Sequence, residues 1–166
     1  MKTVGKILDK TEAVLKWICI ALTASFTIIA FAQVLARYVF KHPLDWTEQT
    51  ARYMFIWSVM LYMPIIMRNR SNLGFDLILK RLPLKAQKII EILCHILITG
   101  FAACYCVYSI QFVSKTITKL VPGLGIPYWI PYSSQIAGAA FLFIFGLELA
   151  VNDIMALTSG KGDKNA

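Results

Sequence analysis

Histidine is nearly missing from this chain, with only His42 and His95 among 166 residues. That scarcity leaves no His-rich metal site and no helical His-Glu-x-x-His pattern. No Walker motif and no nucleotide-binding glycine pattern occur either, so neither an enzyme nor a cofactor site is expected. Charge is scarce too: 16% of residues are charged, against about one quarter in soluble domains. Acid is scarcer than base, nine Asp and Glu against 17 Lys and Arg, which leaves a net charge of +8. The basic residues are scattered between long apolar blocks and not gathered into a patch. Orientation in a bilayer explains them better than nucleic acid, and no nucleic-acid partner is expected. The four cysteines, Cys19, Cys94, Cys104 and Cys106, all fall inside apolar blocks. Cys104 and Cys106 would point roughly 200° apart on a helix and cannot share a metal ion. Nor is the spacing that of a zinc site. They read as small buried residues in helices.

What remains is apolar. Hydrophobic residues make up 58% of the chain and mean hydropathy is +0.63. Four blocks reach the roughly 20 residues needed to cross a hydrocarbon core. They run from about Trp17 to Phe40, from Trp46 to Met67, from Ile89 to about Val113 and from Tyr132 to about Leu157. They are too long, and alternate too little, for strands. The chain therefore reads as one all-α integral membrane domain, 1–166, with four transmembrane helices and a mobile polar tail over 158–166. The lysine-rich leader and Ala30-Phe31-Ala32 have the look of a cleaved signal peptide. The apolar run continues to Val39, however, and the block reads as a retained helix.

Twelve of the 17 basic residues fall in the leader, the link between spans two and three, and the tail. The other five, Arg37, Lys41, Arg52, Lys115 and Lys119, lie at the opposite end. The positive-inside bias thus predicts both termini in the cytoplasm, N-in and C-in. Two shorter segments have an interfacial character. Val4, Ile7, Leu8, Val14 and Leu15 fall mostly on one face, with Lys2, Lys6, Asp9 and Lys10 off it, which predicts an amphipathic interfacial helix over 1–16. A second such stretch runs from Phe75 to Leu82 and is closed by Pro83. Either segment has the ordinary cytoplasmic helix end as its alternative.

Polar residues within the apolar blocks are the candidate functional groups. Pro43 ends the first span. Asp45 and Glu48 form an Asp variant of a capping box at the start of the second, making spans one and two antiparallel neighbours. Glu48 and Arg52 are four apart, in the favoured order for an ion pair. With Arg37, Gln33 and Gln49 they predict a polar cluster in the outer leaflet, either a self-satisfied network or a docking or ion-path site. Glu148 stands among Phe143, Ile144, Phe145, Leu147 and Leu149, where a carboxylate needs a partner. His95 or another subunit would supply it. Small residues at Ser134, Gly138, Gly146 and Ala150, and at Ala21, Ser25, Ala32 and Ala36, let helices approach closely, within the chain or toward a partner. The outer loop from Val121 to Tyr132 is rigid and aromatic. Its Tyr128, Trp129 and Tyr132 suit an interfacial belt or a contact with an extracytoplasmic partner.

The run Ala36-Arg37-Tyr38-Val39-Phe40, then Leu44-x-Trp46-x-Glu48, then Ala51-Arg52-Tyr53-x-Phe55-Ile56-Trp57, resembles the small membrane subunit of tripartite ATP-independent periplasmic (TRAP) transporters, the DctQ-like family. The likeness continues to Leu82-Pro83, with Asp76 matching. Asn72 stands where that family commonly has histidine, and Gln49 where it often has a second glutamate. The resemblance implies a multi-pass protein of a bacterial inner membrane. Its partners would be a large multi-span transport subunit, a periplasmic substrate-binding protein and membrane lipids. Such systems import an organic acid with sodium, and the likeness is to the sialic-acid type, although no residue identifies the cargo. By the same resemblance Arg37, Trp46, Glu48 and Arg52 serve the scaffold and its interface. Two other classes stay open on sequence. A membrane anchor of a redox complex needs facing haem ligands that His95 alone cannot supply. A self-contained proton-coupled exporter needs a titrating carboxylate, for which Glu48 is already provided with Arg52.

Overall fold

A computed structural model describes residues 2–41, 45–69 and 83–158. The side chains of 2–4, 45, 84–85, 154 and 156–158 are outside that description. So are the expectations for Pro43, the Asp45 cap, the Phe75–Leu82 segment and the tail from Ser159.

The described residues form four helices, α1 Lys2–Tyr38, α2 Asp45–Arg68, α3 Leu84–Thr116 and α4 Trp129–Thr158. All four are long and apolar enough to cross a membrane, and among the described residues there is no strand beyond one isolated bridge. The leader is not a separate element: α1 continues without interruption from Lys2 to Tyr38. At 1.5 Å per residue its 37 residues run about 55 Å, beyond even the 40–45 Å of a bilayer with its headgroups. Nothing between Val14 and Trp17 breaks a helix, and Lys16 is held by Glu12 one turn back, at 2.5 Å.

In space the order is α1, α2, α4, α3, with α2 packed between α1 and α4 and α3 closing on α4. One core cluster joins Leu15 and Cys19 of α1 to Leu61 and Ile65 of α2 and Phe145 of α4. A second joins Met67 to Ala102 of α3 and to Leu142 and Leu149 of α4. The buried stripe of α1 therefore runs through Leu15 and Cys19, while Ile7 and Val14 of the expected apolar face stand 59% and 58% exposed. Of the cysteines Cys19 alone is buried; Cys104 lies exposed on α3, contrary to the reading of all four as buried.

Close helix approach explains the α4 small-residue stripe. Pro64 sits inside α2 and has no N–H for the carbonyl of Met60 one turn back. Gly138 of α4 comes so near that carbonyl that an added Cβ would lie 2.7 Å from its oxygen. Gly146 abuts Thr99 of α3 in the same way. With Ser134 and Ala150 also buried, this stripe bundles the chain internally. On α1, by contrast, Ala21 and Ala32 are exposed.

The α3–α4 connection is ordered by its backbone. Val121 N–H donates to the Ile126 carbonyl at 2.8 Å and Tyr128 N–H to that of Lys119 at 3.0 Å. Gly123 and Gly125 take φ of 84° and 66°, the left-handed region the turn requires. Val121 is tucked beneath, 1% exposed.

Candidate functional site

The polar centre of the bundle lies at the end that carries both termini. Arg68, in the last turn of α2, reaches three carboxylates. Its Nε and Nη2 donate to Glu148 Oε2 and Oε1 at 2.8 and 3.2 Å. Its Nη1 donates to Glu12 Oε2 at 2.5 Å and its Nη2 also to Asp9 Oδ1 at 2.6 Å. Asn69 Nδ2 donates to the other Glu12 oxygen at 3.0 Å, which Lys16 also meets. The ring of Phe145 stacks beneath, 5.3 Å from the guanidinium carbon. The two-point grip on Glu148 is the planar fork geometry for which arginine, unlike lysine, is built. Arg68, Glu12 and Glu148 are largely buried, whereas Asp9 is open to its surroundings. One guanidinium thus ties α1, α2 and α4 together.

This answers the question of Glu148 differently from the expectation. Its partner is Arg68, not His95 and not a group that another subunit must supply. His95 on α3 instead shares a 2.7 Å hydrogen bond between Nδ1 and Asp153 Oδ2 of α4, both buried. Asp153 lies five residues beyond Glu148, and the α3–α4 seam brings His95 to that later level. His95 Nδ1 is engaged in this contact, and among the described residues no three His, Cys, Asp or Glu side chains gather as a metal site.

The outer cluster forms only in part. Glu48 and Arg52 pair at 3.0 Å, both more than half exposed. Arg37 stays apart: among the described residues it has no ion pair, because residues 37–41 are all exposed and the last turn of α1 is not packed. Trp46 is half exposed at the start of α2. At the same end Tyr132 stacks on Tyr128, ring centres 5.6 Å apart, and meets the edge of Phe112 at 5.1 Å. Trp129 points outward, 45% exposed. The loop aromatics are therefore two packed anchors and one outward ring.

Sequence reasoning missed Arg68, Glu12 and Asp9 as members of a site. The signal lay in spacing: Leu8, Glu12, Leu15 and Cys19 recur at three and four residues, so Glu12 stands within the buried stripe. A carboxylate there needs a cation from a neighbouring helix.

With this geometry in place, comparison with known proteins gives one consistent result. The family model described as "Tripartite ATP-independent periplasmic transporters, DctQ component" matches residues 26–156. A putative TRAP transporter small permease protein of Haemophilus influenzae is 26% identical over 142 residues, covering 83% of this chain and 84% of that one. The isethionate TRAP transporter permease protein DctMQ of Oleidesulfovibrio alaskensis is 36% identical over 113 residues, 63% of this chain. The match spans only 18% of that longer protein. The sialic acid TRAP transporter permease protein SiaT of H. influenzae is 30% identical over 83 residues, 50% of this chain and 13% of the relative. Four spanning helices, charges tied to one another inside the bundle and a family match across most of the length agree: the chain belongs to the DctQ-component family of TRAP transporters, as a small permease subunit and not an enzyme.

Proposed function

We propose that this subunit is a brace: it holds the static part of a sodium-coupled, binding-protein-dependent importer of an organic acid, with sialic acid the specific candidate. The observation that carries this reading is the internal pairing of its buried charges. Arg68 is engaged by Glu148, Glu12 and Asp9, and His95 by Asp153, so these groups are committed to holding helices. A cargo site would instead present uncommitted donors to an anion. Meanwhile α1 and α3 display large apolar side chains outward, among them Phe31, Leu97 and Phe101, each more than 60% exposed. Such faces suit lipid and a large multi-span transport subunit. Both relatives with long matched proteins are named for organic anions, isethionate and sialic acid, which supports the cargo class. The excess of Lys and Arg at the end with both termini supports N-in, C-in placement in a bacterial inner membrane. It follows that the α3–α4 loop with Trp129 faces the periplasm, within reach of the substrate-binding protein.

The test is reconstitution. Proteoliposomes holding this chain with its large subunit, binding protein and an inward sodium gradient should accumulate labelled sialic acid. Those holding this chain alone should accumulate none. Saturable uptake by the chain alone, lost in Glu148→Gln, would overturn the brace.

A further inference from the structure

An open apolar groove of about 660 Å³ runs along α1, floored by α2 and α4. Its side chains extend from Ile7 to Leu22 on α1 and include Trp57 of α2 and Phe141 of α4. Among the described residues, charged or hydroxyl side chains enter it only at one end, as Lys10 and Thr11. The Thr11 hydroxyl already donates to the Ile7 carbonyl at 3.0 Å, which leaves the Lys10 ammonium as the uncommitted donor. The nearby carboxylates do not claim it. Asp9 and Glu12 are turned to Arg68 on another face of α1, and among the described residues Lys10 has no ion pair.

We propose that this groove seats one anionic phospholipid from the leaflet bordering the two termini, its headgroup on Lys10 and an acyl chain lying along α1 past Trp57. Two observations select that occupant. Length is the first: Ile7 to Leu22 spans about 22 Å of helix, the depth of one leaflet with its headgroups, half of the roughly 40–45 Å of a bilayer. Charge is the second: among the described residues the single lining cation stands at the headgroup end and the remainder is apolar, the pattern of an anionic-lipid pocket between helices. Lysine suits that level because its long stem lies on apolar surface while the ammonium reaches the polar layer. This inference concerns the lipid contact alone and stands apart from the transport reading.

Trp57 gives the readout from inside the groove. The full-length chain carrying Trp17→Phe, Trp46→Phe and Trp129→Phe retains Trp57 as its one tryptophan. It is placed in phosphatidylethanolamine vesicles containing equal mole fractions of dibrominated phosphatidylglycerol or dibrominated phosphatidylethanolamine. The brominated anionic lipid should quench Trp57 with about fivefold apparent preference, the share of one lysine at an anionic surface. Lys10→Gln, an exposed substitution, should remove the preference while leaving the helical circular dichroism unchanged. Equal quenching by both lipids would reduce the groove to ordinary lipid solvation and overturn the proposal. So would a preference that survives Lys10→Gln, or protection from both lipids, which would mean that a partner helix or a second copy covers the groove.

Discussion

Arg68 is one cation answering three acids, so changes on the two sides of the network are unequal. Arg68→Gln leaves Glu148 and Glu12 largely buried, and among the described residues Lys16 is the one cation remaining, on the Glu12 side, where the Asn69 amide also donates. Removing one partner of a buried pair costs about 3–5 kcal/mol, so this variant should be recovered poorly and melt well below the parent in detergent. Glu148→Gln keeps Arg68 on Glu12 and Asp9 and keeps an amide oxygen to accept from it. Its cost should be about 1–3 kcal/mol, a clear but smaller drop in Tm. If both variants melt with the parent, the network is ornamental to stability. How far this site could be read beforehand follows from the same residues. Glu148 announced itself as a lone carboxylate among Phe and Leu. Its partner did not, because Arg68 closes span two and counts equally well as an orientation charge in the following link. Which helix lies next to which is a tertiary fact, and only the α2–α4 contact converts that boundary arginine into an internal one.

Helices two and four are joined where each gives something up. Pro64 leaves the Met60 carbonyl without its usual donor, and Gly138 supplies close backbone approach at that point. A Cα–H directed at a carbonyl is a weak bond, but the approach also excludes larger groups. Gly138→Ala should therefore cost about 1–3 kcal/mol through overpacking, read as thermal unfolding followed by tryptophan fluorescence. Gly100 on α3 is the contrast: an added Cβ meets nothing within 4 Å, and Gly100→Ala should be neutral or stabilise by roughly 0.5–1 kcal/mol. A similar gain at both positions would show that helix propensity, not the α2–α4 approach, governs the result. Element existence was plain in the sequence, since four apolar runs of spanning length have no other economical solution in lipid. Element ends were less so. Lys16 and the acids before it look like a boundary, yet Glu12 neutralises Lys16 within the helix, and α1 runs through.

For the molecule as a whole, the two ends of the bundle differ in kind, and this bears on sidedness. One end holds Arg68 with its three acids and, in sequence, most of the lysine and arginine. The other holds the hydrogen-bonded loop, the Tyr128–Tyr132 stack and few basic groups. Transferring lysine-rich segments across a membrane is disfavoured, so the proposed placement puts the first end in the cytoplasm. A cysteine-free background, with Cys19, Cys94, Cys104 and Cys106 each replaced by alanine, allows this to be measured in intact spheroplasts with a membrane-impermeant maleimide. Pro122→Cys, exposed in the loop, should label directly. Thr3→Cys and Asn165→Cys should label only after the membrane is permeabilised. Labelling of the two termini on opposite sides would remove one of the four spans. Labelling of both termini from outside would invert the chain, and the loop aromatics would then face the cytoplasm, where a periplasmic binding protein cannot meet them.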